Sequence, residues 1–109
     1  MENENKMDKD KVRKLVEEYA KFVIENMVVN KIILYGSYAR GDYRANSDID
    51  VAVVVSKNNV SKDIISQKGQ LVKLTRNISF DIEPILLIEE DRSGFLESIS
   101  SYGEVVYSR

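Results

Sequence analysis

Residues 48–55 read Asp-Ile-Asp-Val-Ala-Val-Val-Val, and no other stretch limits the fold so tightly. After its acidic start the run is continuously apolar, the pattern of a strand inside a sheet rather than of one with a solvent-facing side. Successive strand residues point to opposite faces, so Asp48 and Asp50 share one face while Ile49, Val51, Val53 and Val55 share the other. Two carboxylates are thereby set side by side on a rigid support.

The rest of the chain supplies elements to pack around that strand. Val12, Leu15, Val16, Tyr19, Val23 and Met27 recur at steps of three and four, which predicts an amphipathic helix over residues 8–27, with Asp8 and Asp10 at its start. Val28 to Tyr35 forms a β-rich run ended by Gly36-Ser37, and Tyr38 to Gly41 has room for one helical turn closed by Gly41 as a left-handed residue. Ser61 suits the cap of a helix carrying Ile64, Ile65, Leu71, Val72 and Leu74 toward the core and ending near Asn77. Residues 78–88 read as a third strand, and Pro84, which cannot donate to a ladder, puts it at an edge or leaves its proline N side unpaired. A short helix over residues 94–101 buries Phe95, Leu96 and Ile99, and Val105 to Tyr107 forms a small last strand. The order predicts a small α/β (α+β) domain, residues 1–109, with a mixed sheet and helices packed on it.

Composition narrows the chemistry. With no cysteine and no histidine among 109 residues, Ser-His-Asp and Cys-His mechanisms are excluded, and any metal is oxygen-held and hard, such as Mg²⁺ or Mn²⁺. Sixteen basic against eighteen acidic residues leave a net charge of −2, which provides no overall basic field for a nucleic-acid backbone. The N-terminus is polar and the apolar runs are too short to span a bilayer, so neither signal peptide nor membrane segment is expected, and the cytoplasm is the simple location. A chain this short has no room for a separate substrate domain, so part of a site for a large substrate would come from another chain, in a hetero- or homo-oligomer.

Neighbouring carboxylates repel, and one protonates unless a cation neutralises the pair. A divalent metal supplies that charge at Asp48 and Asp50. The preceding strand ends at Gly36-Ser37, where glycine lets the backbone approach a ligand and the following N–H groups, with the Ser37 hydroxyl, can donate to phosphate oxygens. Arg40 and Arg44 can clamp a triphosphate or neutralise the acids. Phosphate donors beside a hard-metal site point to a nucleoside triphosphate carried with Mg²⁺. A two-metal site needs a third carboxylate; the third strand offers Asp81 and Glu83, two residues apart on one face, with Asp81 preferred for its setting between Phe80 and Ile82. Each feature has a plainer reading as well: Gly-Ser as a common turn, Asp-x-Asp as a solvated strand end, Ser47 as a cap at the strand entry, and Tyr35, Tyr38 and Tyr43 as packing residues rather than base-stacking ones.

Taken together, Gly36-Ser37, ten intervening residues and Asp48-Ile49-Asp50 resemble the signature of the nucleotidyltransferases of the DNA polymerase β superfamily. Gly36-Ser37-Tyr38-Ala39-Arg40-Gly41 followed by Ser47-Asp48-Ile49-Asp50 is similar to its minimal nucleotidyltransferase branch. The likeness is close from about Ile32 to Val55 and looser through Asp81-Ile82-Glu83-Pro84. It implies the polymerase β-like fold and transfer of a nucleoside monophosphate from a triphosphate, with pyrophosphate leaving. On that pattern Asp48, Asp50 and Asp81 hold two Mg²⁺ ions and carry catalysis, and Gly36, Ser37, Arg40 and Ser47 form the candidate ATP-binding set. The branch also implies a partner, since many members are antitoxins of HEPN-domain toxins and some add AMP to a tyrosine of the toxin. A non-catalytic antitoxin that acts by binding, and transfer to a small molecule such as an aminoglycoside, are the alternative expectations.

Overall fold

A computed structural model describes residues 8–109. The first helix, α1 (Lys9–Asn26), starts where the Asp8 carboxylate accepts from the Lys11 N–H at 2.9 Å, satisfying one of the donors that a helix start leaves free. Its stripe of Val12, Val16, Tyr19, Ala20 and Val23 is buried. Strand β1 (Lys31–Tyr35) follows, then the single turn α2 (Ser37–Arg40) and β2 (Ile49–Val55). A 3-10 turn, Lys57–Asn59, leads to α3 (Ile64–Thr75), β3 (Ile82–Ile88), α4 (Phe95–Tyr102) and β4 (Glu104–Ser108).

The four strands lie in the order β3-β2-β1-β4. β1 runs antiparallel to both β2 and β4, while β2 and β3 are parallel and joined through α3, as a parallel pair requires a crossover. The mixed sheet and packed helices are those expected from the sequence. Ile32, Leu34, Ile49, Val51, Val53 and Val55 pack on one face with the α1 stripe and Leu71 of α3. The other face gathers Ile33, Ala52 and Val54 beneath Ile99 of α4, with Tyr35, Ile85, Leu87 and Leu96 partly covered around them. It is on this less enclosed face that the carboxylates emerge. Two polar ties fix the helices to the frame: the buried Tyr19 hydroxyl donates to the Leu71 carbonyl at 2.7 Å, and Arg13 and Lys9 of α1 both pair with Glu104 of β4.

Three boundaries differ from expectation. The cap of α3 is Asp63, whose carboxylate accepts from the Ser66 N–H at 3.0 Å; Ser61 instead accepts from the Asp63 N–H, one step earlier in the same turn. β3 starts at Ile82 because residues 78–81 fold back on the end of α3, with the Ile78 and Ser79 N–H groups both bonding to the Thr75 carbonyl. Residues 28–30 precede β1 rather than belong to it. The α3 stripe is also narrower than its composition suggests, for Leu71 is buried while Ile65 is 81% exposed and Val72 52%. Pro84 does lie on an edge strand.

Candidate active site

The chain leaves β1 at Gly36 with φ +77° and ψ −155°, a region open essentially to glycine alone. There is a second reason for glycine here. A Cβ added at Gly36 would sit 2.1 Å from Asp50 Oδ2, so the turn backbone lies directly against the carboxylate. α2 then makes its single turn and closes with Gly41 at φ +94°, the Gly41 N–H donating to the Ser37 carbonyl at 2.8 Å, which is the left-handed closure the sequence calls for. The Gly36 N–H donates to the Tyr102 hydroxyl at 3.1 Å, and Arg40 Nη1 donates to the same oxygen at 3.4 Å. The Arg40 guanidinium carbon stands 5.7 Å from the centre of the Tyr102 ring, and Arg40 Nε reaches Asp42 at 3.4 Å.

Strand register decides which acids meet. Asp50 is paired with Tyr35 of β1 on one side and with Glu83 of β3 on the other, so these three residues form a row on the same face of the sheet. Asp48 stands one strand repeat before Asp50, at the mouth of β2. Burial, with the charge of Asp48 added, raises the Asp50 carboxyl above its ordinary range, while Arg40 pulls it back down. Glu83 is also raised, chiefly by the charge of Asp48, then by burial, a hydrogen bond to Asp48 and the charge of Asp50. Burial pushes the Tyr35 hydroxyl up to about 12, with Asp50, Tyr102 and Glu83 adding to the effect, and its ring meets Phe95 edge-on at 5.8 Å.

Asp48, Asp50 and Glu83 therefore form one electrostatic cluster. The preferred third carboxylate, Asp81, lies in the turn before β3: its carbonyl accepts from the N–H of Ile49, between the two motif acids, at 2.9 Å, and its charge acts on the Tyr38 hydroxyl. Two residues apart, Asp81 and Glu83 have the same parity; the register sets Glu83 beside Asp50, whereas Asp81 falls in the turn ahead of the strand. Ser47 is engaged in the loop, its hydroxyl accepting from the Arg44 N–H at 2.7 Å while its own N–H donates to the Arg44 carbonyl at 3.0 Å. Gly36 is buried, Ser37 half-buried and Arg40 exposed, all in the turn beside Asp50. Tyr38 and Tyr43 stack on each other at 4.4 Å, and Tyr38 belongs to the core.

Among the described residues no three acidic side chains close around one point as a finished metal cage. The donor set nevertheless fits a hard divalent cation, since it consists of carboxylate oxygens held in mutual repulsion, which a cation relieves. Tyr102 is the residue that the sequence did not disclose. Nothing in its local setting marks it, and it reaches Gly36 only because β4 pairs with β1 and brings the end of α4 alongside.

The model of the polymerase beta nucleotidyltransferase family matches residues 17–109. The chain belongs to that family. It is 32% identical over 79 residues to MJ0141 of Methanocaldococcus jannaschii, assigned as a protein adenylyltransferase, a match covering 69% of this chain and 76% of that one. Among solved structures, a crystal structure of an assigned Sulfolobus solfataricus nucleotidyltransferase superposes with a TM-score of 0.68 at 24% identity, over 93% of this chain and 84% of the other. A toxin–antitoxin crystal structure with AMP-PNP superposes with a TM-score of 0.61 at 24% identity, over 85% of this chain and 73% of that chain. At these identities the structural matches establish the polymerase β-like fold of this nucleotidyltransferase. Its Gly36 turn and its Asp48-Ile49-Asp50 strand are the motif residues through which the sequence resembles the family.

Proposed function

We propose that this nucleotidyltransferase is a Mg²⁺-dependent protein adenylyltransferase that moves AMP from ATP to a hydroxyl, most simply a tyrosine, of a HEPN-domain toxin, and so acts as the antitoxin of the pair. The observation that carries the reading is the row Asp50–Glu83 with Asp48 beside it, set directly against the Gly36 turn. The likeness to MJ0141 supports protein as the acceptor class, and the toxin–antitoxin likeness supports the partner. A cytoplasmic site of action follows from that pairing; no described helix is long and apolar enough to cross a membrane.

In this reading the turn at Gly36 and Ser37, with Arg40, holds the β- and γ-phosphates, and Ser47 braces the loop that delivers Asp48. Asp48, Asp50 and Glu83 would hold Mg²⁺, which when bound neutralises charge on the triphosphate and the leaving pyrophosphate. The acceptor hydroxyl attacks the α-phosphorus; a new oxygen–phosphorus bond forms, the bond to the β-phosphate oxygen breaks, and pyrophosphate departs. The hydroxyl proton passes to a carboxylate oxygen of the cluster, which stands on the same sheet face as the Gly36 turn. Asp81 is left outside this set.

Incubation with labelled ATP, Mg²⁺ and a HEPN-domain toxin as candidate partner should place label on the partner. Asp48→Asn and Asp50→Asn should each abolish it, and full labelling by both variants would refute the assignment.

A further inference from the structure

The Tyr102 hydroxyl lies outside every motif of the family likeness, yet two donors converge on it. One is the backbone N–H of Gly36, at 3.1 Å; the other is Nη1 of Arg40, at 3.4 Å. A single oxygen served by a backbone amide and a guanidinium is the arrangement that a phosphate oxygen takes. We infer that the Tyr102 hydroxyl is an internal stand-in for a triphosphate oxygen, filling the point where Gly36 and Arg40 aim and giving it up when nucleotide binds. This rests on the proposal that the Gly36 turn receives the triphosphate.

The exchange has a direction. A neutral phenol is a weaker acceptor than a phosphate oxygen, whose charge-assisted bonds are roughly twice as strong, so the nucleotide displaces the phenol and not the reverse. The phenol also keeps the turn in order while it is empty, because it gives the Gly36 N–H a fixed acceptor there. The ring has a separate task. Arg40 sits over it at 5.7 Å, a contact that holds the guanidinium near the site whether or not the hydroxyl is engaged.

The displacement must be a side-chain rotation. Behind Tyr102, a Cβ at Gly103 would meet the Ile99 carbonyl at 2.5 Å and Ile33 Cγ2 at 2.7 Å, and the Gly103 N–H is bonded to Ile99 at 2.7 Å. The backbone there is wedged against β1. Tyr102 itself is half-exposed, so its ring can swing without unfolding α4.

The test is Tyr102→Phe, which keeps the ring under Arg40 and removes the oxygen. Two quantities are read: amide hydrogen exchange at Gly36 in the free protein, and calorimetric affinity for AMP-PNP with Mg²⁺. Exchange at Gly36 should quicken several-fold in the variant, and AMP-PNP should bind about 2- to 10-fold more tightly, the factor that one net hydrogen bond represents. Unchanged exchange would show that the hydroxyl does not hold the turn and would overturn the inference. Faster exchange with equal or weaker AMP-PNP binding would also overturn it, leaving Tyr102 a mere support. If the native protein binds no AMP-PNP at millimolar concentration, the nucleotide reading itself fails and the stand-in falls with it; the Gly36 exchange result then separates that failure from a misplaced hydrogen bond.

Discussion

Replacing Gly36 by alanine attacks the site at the point where backbone and carboxylate touch. Two separable costs arise. The first is conformational: at φ +77° and ψ −155° a residue with a Cβ is strained by about 1–3 kcal/mol. The second is steric, because the added Cβ would lie 2.1 Å from Asp50 Oδ2 and the pair must open by about 0.9 Å to reach 3.0 Å. In the proposed reaction a displacement of that size in Asp50 should cost on the order of 100-fold in rate. The two costs part company in an Asp50→Ala background, where Oδ2 and Cγ are gone and the next atom, Asp50 Cβ, is 3.1 Å away. Urea denaturation of the four proteins of this cycle should give a coupling of roughly 0.5–3 kcal/mol, with Gly36→Ala less damaging when Asp50 is absent. At about 4–8 °C per kcal/mol, the strain that survives in both backgrounds should still lower the melting temperature measurably. Equal losses in the two backgrounds would refute the claim that the turn is packed against the carboxylate.

Four further outcomes follow from the geometry. Glu83→Gln should abolish labelling of the partner and weaken Mn²⁺ binding, whereas Asp81→Asn should retain most of both; the opposite result in calorimetry and labelling would restore Asp81 to the site. Asp50 is raised in the fold, so its charged form opposes folding: stability without metal should increase as pH falls through that raised value. Asp50→Asn should therefore melt higher than the native protein at neutral pH, and a thermal scan should show the gap closing in acid. Glu104 is lowered by Lys9 and then Arg13, which has the opposite sign, so the part of stability that Glu104→Gln removes should be present at neutral pH and vanish below the carboxylate range. Tyr19→Phe deletes a buried bond to the Leu71 carbonyl and should cost about 1–2 kcal/mol in urea denaturation with no change in labelling by the folded protein.

The alternation of residues 48–55 carried a great deal. It placed both acids on one face and made the strand interior, and β2 is indeed flanked by β1 and β3. Glycine at 36 and 41 was readable because each residue type is nearly forced by the backbone it must adopt. What periodicity could not reach was anything set by pairing between distant segments. Asp81 and Glu83 are equivalent by parity, and it is the β2–β3 pairing that sets Glu83 beside Asp50 and leaves Asp81 in the turn before the strand. Tyr102 is separated from Gly36 by 66 positions, and no local pattern speaks across that interval. The exposed Ile65 and Val72 failed for a related reason: β3 and α1 cover only a narrow strip of α3, and hydrophobic composition does not say how wide the cover is.

The placement of Glu83 on an edge strand has a mechanical consequence. Asp48 and Asp50 ride on the interior of the sheet, whereas Glu83 rides on β3, which is hydrogen-bonded on one side only. A cation that gathers the three acids also fastens the border of the sheet to its centre. On the proposed reading, fraying at that border would disarm the enzyme well before the fold is lost, and binding at the acids would work as a latch on the strand. Hydrogen exchange along β3, slowed by Mg²⁺ while the β1–β4 pairing stays unchanged, would register that latch directly.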